Sequence, residues 1–82
     1  MNNKELHEII IRVLTEAVPG IDVSDLEPDD NLRESLDIDS FDNLNFLVGL
    51  HEKLGVDIPE KDYGKLNTLN EIVHYLVEHK AV

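Results

Sequence analysis

Apolar residues recur every three or four positions in the first part of the chain. They follow the i, i+3, i+4, i+7 spacing of one helix face and are Leu6, Ile9, Ile10, Val13, Leu14 and Ala17. Asn2 precedes them at an N-cap position, and Glu5 stands where a side chain can reach back to the cap. Pro19 and Gly20 do not continue a helix, so we predict a first amphipathic helix that ends within residues 18–20.

The next segment, residues 20–39, has no sustained period and is rich in residues that favour turns and caps. It predicts a long loop between the first two helices. An unpinned loop of this length is uncommon in a compact domain. We therefore expect apolar side chains to hold it against the core: Ile21, Val23, Leu26, Leu32, Leu36 and Ile38.

The second half of the chain predicts two further long helices and a short one between them. The second helix runs from about residue 40 to 54 and is followed by Gly55, a favourable residue just past a helix end. The short third helix is expected in EKDYGK, after Pro59. The fourth begins at Thr68 and Glu71, which have the spacing of a capping box, and its apolar residues share a face: Leu69, Ile72, Val73, Leu76 and Val77.

These elements predict an all-α fold. We expect a small four-helix bundle, with three main helices, a short third helix and a long loop between helices one and two. A chain of 82 residues has room for one core, so a single domain over residues 1–82 is expected.

The second helix carries two apolar stripes rather than one. Phe46, Leu47, Leu50 and Leu54 cluster on one side, and Phe41, Leu44 and Val48 on nearly the opposite side. Such a helix is either buried on both sides, or it packs one stripe on the core and offers the other to a groove on a partner. The sequence leaves both interpretations open.

Charge narrows the choice of partners. The chain has 7 basic and 18 acidic side chains, a formal net charge of −11. Such a field repels nucleic acid and anionic lipid and attracts basic protein surfaces. No apolar run approaches the roughly 20 residues of a spanning helix, and the N-terminus lacks a signal-peptide pattern. We therefore expect a cytoplasmic monomer that neither binds nucleic acid nor inserts into a membrane.

Residues 37–43, DIDSFDN, place Ser40 among three carboxylates. A calcium loop starting at Asp37 fails at Phe41, and HEKLG at 51–55 lacks the second histidine of a zinc helix, so no metal site is expected. Cysteine is absent, which excludes disulfides and thiolate chemistry. Ser40 and His51 would lie roughly 16 Å apart along a helix, too far for a catalytic pair. We expect no enzyme activity.

Either Ser40 or Asp39 can be the N-cap of the second helix. If Asp39 caps, the hydroxyl of Ser40 points outward from the first turn. A phosphate attached there would meet the positive end of the helix dipole.

These residues resemble the acyl carrier proteins and their phosphopantetheine-binding relatives. The resemblance lies in Asp39 and Ser40 followed by Phe41 and Leu44, in Leu36 and Ile38 before them, and in the whole stretch LDIDSFDNLNFLVGLHEKLGVDIP. It implies that a separate phosphopantetheinyl transferase attaches 4′-phosphopantetheine from coenzyme A to Ser40. The terminal thiol would then carry acyl groups as thioesters, which accounts for a chain without cysteine.

The resemblance also implies roles for other residues. Asp39 adjoins the attachment site. Residues expected to contact acyl-transferring or condensing enzymes with basic docking surfaces are Asp37, Phe41, Asp42, Leu44, Val48 and Glu52. Residues that could line an acyl pocket, and that are equally well explained as ordinary core, are Phe46, Leu50, Leu54, Ile58, Leu66, Leu69 and Ile72.

Several positions depart from the common pattern of the family. Phe41 stands where Leu or Met is usual, Asp37 where Gly is frequent, and Asn45 where an acid is frequent, while Lys53 and Tyr63 also differ. These departures favour a dedicated pathway, such as polyketide or specialised lipid synthesis, over housekeeping fatty acid synthesis. A peptidyl or aminoacyl carrier and an unmodified helical interaction module are the alternatives.

Overall fold

The structure, a computed structural model, describes residues 2–79. They form four α-helices and one 3₁₀ helix: α1 (Asn3–Ala17), α2 (Leu32–Leu36), α3 (Ser40–Leu54), the 3₁₀ helix (Glu60–Lys65) and α4 (Leu69–Glu78). This part of the chain contains no strand, and the predicted all-α class is confirmed. The ends of the predicted domain, residue 1 and residues 80–82, lie outside the described residues.

Helix α1 is the element on which the others pack. It begins as predicted, since the Glu5 N–H donates to Asn2 Oδ1 at 2.8 Å. Its apolar face is closed to solvent at Leu6, Ile10 and Leu14, and it packs against both α3 and α4. Burial of this face, at about 25 cal/mol per Å², is the main stabilising contribution of the helix.

The predicted loop between the first two long helices contains α2, which we did not predict from the sequence. Asn31 Oδ1 caps α2 by accepting from the Glu34 N–H at 3.1 Å, and Leu32 is buried in the core. Asp37 ends the helix in the left-handed conformation, with φ at 52°. Five residues are too few to show a helical period, so the available sequence signal for α2 was its N-cap residue, Asn31.

The rest of the loop is pinned, as expected. The Leu32 N–H donates to the Asn67 carbonyl at 2.9 Å, and the Asn70 N–H donates to the Pro28 carbonyl at 3.1 Å. Asn70 Nδ2 also donates to Asp29 Oδ1 at 2.6 Å. The predicted apolar anchors are buried or half-buried against the core: Ile21, Val23, Leu26, Leu32, Leu36 and Ile38. These contacts hold the segment before α3 in a fixed position.

The second half of the fold follows its predicted boundaries. Helix α3 ends at Gly55, which adopts the left-handed conformation with φ at 68°. The EKDYGK segment forms the 3₁₀ helix, and both hydrogen bonds of the capping box between Thr68 and Glu71 are present at the start of α4. The 3₁₀ helix is joined to α4 by a buried hydrogen bond from the Tyr75 hydroxyl to Asp62 Oδ2, at 2.7 Å.

Candidate functional site

The side chain of Asp39, and not that of Ser40, caps helix α3. Asp39 Oδ1 accepts a hydrogen bond from the Asp42 N–H at 2.8 Å, and the Asp39 backbone is extended, as an N-cap requires. Ser40 is therefore the first residue of the helix, and its side chain is exposed. Since the cap is already supplied, the hydroxyl of Ser40 is available for other chemistry.

The turn before Ser40 is held by backbone contacts. The N–H groups of Asp37 and Ile38 both donate to the Arg33 carbonyl, the second at 3.2 Å. Asp37 adopts a left-handed conformation that residues other than Gly, Asn and Asp rarely adopt. Ile38 is buried in the core directly after it. Ser40 is thus presented between a fixed turn and the first turn of α3.

The charges around Ser40 oppose a freely bound anion. The start of α3 offers unpaired N–H groups and the positive end of a helix dipole. Asp37 and Asp39, both exposed, and Asp42, half-buried, place carboxylates next to it. The helix end favours an anion at this position, and the three carboxylates oppose one. The same acids attract a basic protein surface.

An exposed apolar row extends along α3 from the serine. The side chains of Phe41, Leu44 and Val48 are 68%, 41% and 40% exposed, whereas Phe46, Leu47 and Leu50 on the other side are fully buried. Of the two sequence interpretations, the helix buried on both sides is therefore wrong. Glu52, also exposed, lies one turn beyond Val48. We call Phe41, Leu44 and Val48 the apolar row of α3.

Comparison with known proteins identifies the family. A family model described as a phosphopantetheine attachment site matches residues 5–76. The chain belongs to the acyl carrier protein family. It is 32% identical over 81 residues to the acyl carrier protein of Rubrobacter xylanophilus, covering 99% of both chains. It is 30% identical over 76 residues to that of Acidothermus cellulolyticus, covering 93% of this chain and 89% of the relative.

A second group of relatives is longer. The chain is 35% identical over 66 residues to the meromycolate extension acyl carrier protein of Mycobacterium tuberculosis. That match covers 80% of this chain and 57% of the relative, so the chain spans little more than half of that protein.

Family membership gives the general function. This acyl carrier protein is a carrier and not an enzyme, and its prosthetic group is 4′-phosphopantetheine. Its interactions are with a phosphopantetheinyl transferase and with biosynthetic enzymes. The predicted family, cofactor and absence of enzyme activity are confirmed by the match.

The residues proposed for an acyl pocket all belong to the core of the carrier or pack against it. Six are buried and one, Leu54, is half-buried; the six are Phe46, Leu50, Ile58, Leu66, Leu69 and Ile72. Tyr63 of the 3₁₀ helix packs on the same core. The structure therefore brings these residues together in the hydrophobic core. A role in holding cargo stays a prediction.

Other chemistry considered from the sequence finds no support among the described residues. No group of His, Asp and Glu side chains in residues 2–79 could hold a metal ion, and no helix there is long and apolar enough to cross a membrane. His51 Nδ1 lies 2.6 Å from the Val56 carbonyl, a contact that joins the last turn of α3 to the segment after it. His74 pairs with Glu78 at 2.9 Å on the surface of α4.

Proposed function

We propose that Ser40 is the attachment site of 4′-phosphopantetheine and that the protein carries acyl groups for a dedicated lipid pathway. The observation that supports this most directly is the exposed hydroxyl of Ser40 at the first position of α3, left free because Asp39 makes the cap. The acids around it and the apolar row beside it supply a surface for a transferase.

The attachment is a phosphoryl-type transfer onto the serine. Ser40 Oγ attacks the pantetheine-linked phosphorus of coenzyme A, an Oγ–P bond forms, and the P–O bond to adenosine 3′,5′-bisphosphate breaks. In this proposal the hydroxyl proton passes to a base of the transferase. When attached, the group supplies the thiol that forms thioesters with acyl groups.

Intact mass tests the attachment site. The purified protein is incubated with coenzyme A and a broad-specificity phosphopantetheinyl transferase, and a gain of one phosphopantetheine is expected. Ser40→Ala should show no gain. The matched control is Ser35→Ala, an exposed serine on α2, which should gain the group like the native protein. Loading of Ser40→Ala, or failure of the native protein to load with any transferase of the family, contradicts the proposal.

We also propose that the apolar row of α3 binds partner enzymes. Its three side chains are exposed at helical spacing and are bordered by Asp37, Asp42 and Glu52. The partner surface that fits is an apolar groove with a Lys or Arg rim, because the row buries apolar area while the acids steer and orient the encounter.

A matched pair of valines tests this surface. Val48 and Val77 are 40% and 41% exposed, but Val77 lies on α4. We expect Val48→Ala to raise the KM of the transferase for the carrier by several-fold, since about 1 kcal/mol of apolar contact is removed. Val77→Ala should leave it unchanged. Equal effects of the two substitutions would place the docking surface elsewhere.

The lipid pathway is supported by the relatives named meromycolate extension acyl carrier protein. The departures at Phe41 and Asn45 agree with a restricted set of partners. Mass spectrometry of the carrier isolated from its own cells would identify the thioester on Ser40. A fatty acyl cargo supports the proposal, while an aminoacyl cargo or an unmodified serine favours the peptidyl carrier or the interaction module.

Three statements about the whole protein stay predictions: that the chain forms a single domain, that it is a monomer and that it lies in the cytoplasm.

A further inference from the structure

A polar groove begins two residues before Ser40. It lies between α2 and the residue before the cap of α4, with a volume of about 420 Å³. Five of its six lining side chains are polar or charged; the six are Asn31, Arg33, Glu34, Asp37, Ile38 and Asn67. None of the residues proposed for an acyl pocket lines it, and its polarity is unsuited to an aliphatic chain.

We propose that this groove holds the pantetheine part of the prosthetic group, with Arg33 facing its phosphate. The proposal rests on the proposed function, because it requires the group to be attached at Ser40. From Ser40 back to Ile38 the backbone spans at most about 7 Å, a distance well within the length of the arm. The groove is therefore within reach of an arm attached to Ser40.

The charge of Arg33 is unusual in its surroundings. It is the single Arg or Lys between Arg12 and Lys53, a stretch that includes eleven acidic side chains. In residues 2–79 the ion pairs are Lys65 with Asp62 and His74 with Glu78, so Arg33 is paired with no carboxylate there. Its backbone carbonyl binds the N–H groups of the turn that leads to Ser40. An arginine that lines this groove suits a phosphodiester on the serine.

The two asparagines suit the amide groups of pantetheine. Asn31 Oδ1 accepts from the Glu34 N–H at 3.1 Å, which leaves its Nδ2 as a donor. Asn67 Nδ2 donates to the Gly64 carbonyl at 2.8 Å, which leaves its Oδ1 as an acceptor. One donor and one acceptor are what a secondary amide requires. Both side chains are already held in place by their other hydrogen bond, so little entropy is lost on binding.

NMR of the apo and loaded carrier tests the proposal. Loading is first confirmed by intact mass, and amide chemical shifts are then compared. We expect changes at Arg33, Ile38 and Asn67, together with nuclear Overhauser contacts between the pantetheine methyl protons and Ile38. Changes confined to residues 39–43 would overturn the proposal while leaving Ser40 as the site. Absence of any mass gain would instead overturn the proposed function, and this inference with it.

The two arginines of the chain give a matched comparison. Arg33→Gln keeps a hydrogen-bonding side chain but removes the charge, and it should abolish the shift change at Asn67 on loading. Arg12→Gln, an exposed arginine on α1, should leave that change intact. An unaltered change at Asn67 in Arg33→Gln would overturn the role of Arg33. If circular dichroism shows that Arg33→Gln does not fold, the contacts to Ile38 in the native protein decide the outcome.

Discussion

At the scale of single residues, the hydrogen bond between Tyr75 and Asp62 is the main buried polar contact of the fold. The Tyr75 hydroxyl donates to Asp62 Oδ2 at 2.7 Å, and Lys65 Nζ lies 3.3 Å from Asp62 Oδ1. The hydrogen bond from Tyr75, assisted by Lys65, lowers the pKa of Asp62 below 3.8 although burial acts against it. Burial, followed by the hydrogen bond to Asp62, raises the pKa of Tyr75 to about 12.

These pKa shifts set the pH range in which the pair stabilises the fold. The pKa of Asp62 is lower in the folded than in the unfolded chain, so its contribution is present above pH 3.8 and is lost as the pH falls through the folded value. The pKa of Tyr75 is raised from 10.0, so its contribution is complete below that pH and is lost as the pH rises toward about 12. At neutral pH both contributions are complete.

We predict that Tyr75→Phe raises the pKa of Asp62 and lowers the urea midpoint at pH 7. Removal of the hydroxyl leaves a buried carboxylate with one partner fewer, which is unfavourable for the ionised form. The ¹³C shift of the Asp62 carboxyl followed against pH measures the change. Tyr63→Phe, which removes the other tyrosine hydroxyl of the chain, should leave the titration of Asp62 unaltered. The same titration curve in the native protein and in Tyr75→Phe would contradict the role of the bond.

This pair marks a limit of what the sequence reveals about single residues. Asp62 lies in EKDYGK, a segment that reads as solvated, and Tyr75 lies thirteen residues later on the apolar face of α4. Nothing in the local pattern joins them, because their contact depends on how the 3₁₀ helix folds back on α4. The N-cap of α3 was similarly undecided, since Asp39 and Ser40 have nearly equal capping preference.

At the scale of helices, α1 and α3 approach each other closely at Gly49. A Cβ atom built on Gly49 would lie 2.9 Å from Val13 Cγ1, a separation that real side chains almost never show. Val13 is buried, and a β-branched side chain in a helix has essentially one rotamer. Glycine at this position therefore permits the two helices to pack, although it lowers the intrinsic helix propensity of α3.

We predict that Gly49→Ala destabilises the protein. Alanine gains about 1 kcal/mol of helix propensity, but overpacking against a rigid valine costs about 1–3 kcal/mol. A net loss of about 1 kcal/mol is expected, measured as the free energy of unfolding in urea. In a Val13→Ala background the obstruction is gone, so Gly49→Ala should there stabilise by about 1 kcal/mol. A loss of equal size in both backgrounds would show that Val13 is not the cause.

The elements differ in how well the sequence predicts them. The long helices were predicted with their caps at Asn2, Gly55 and Thr68, because each combines a sustained period with a specific capping residue. Helix α2 was missed, since five residues give no period and are stabilised by tertiary contacts such as the burial of Leu32. The exposure of the apolar row of α3 also required the structure, because a periodic pattern does not tell which stripe meets the core.

At the scale of the whole molecule, the net charge is −11, and few of the acidic side chains form ion pairs in residues 2–79. The two ion pairs in residues 2–79 join neighbouring turns, one of them through a histidine that is charged only when protonated. The remaining acids are therefore left to repel one another across a molecule whose radius of gyration is 11.5 Å. That distance is close to the Debye length of about 10 Å at 0.1 M salt, so repulsion acts across much of the molecule at low ionic strength.

We predict that salt stabilises the protein at pH 7. Between about 0.01 M and 0.5 M NaCl, screening should raise the Tm by about 4–8 °C, the shift that corresponds to roughly 1 kcal/mol in a domain of this size. The same titration near the sequence pI of 4.5, where the net charge is small, should move the Tm little. An equal rise at both pH values would indicate a general salt effect on apolar burial. A constant Tm at pH 7 would show instead that local interactions already stabilise the acidic surface, and that the many acidic side chains do not destabilise the folded carrier.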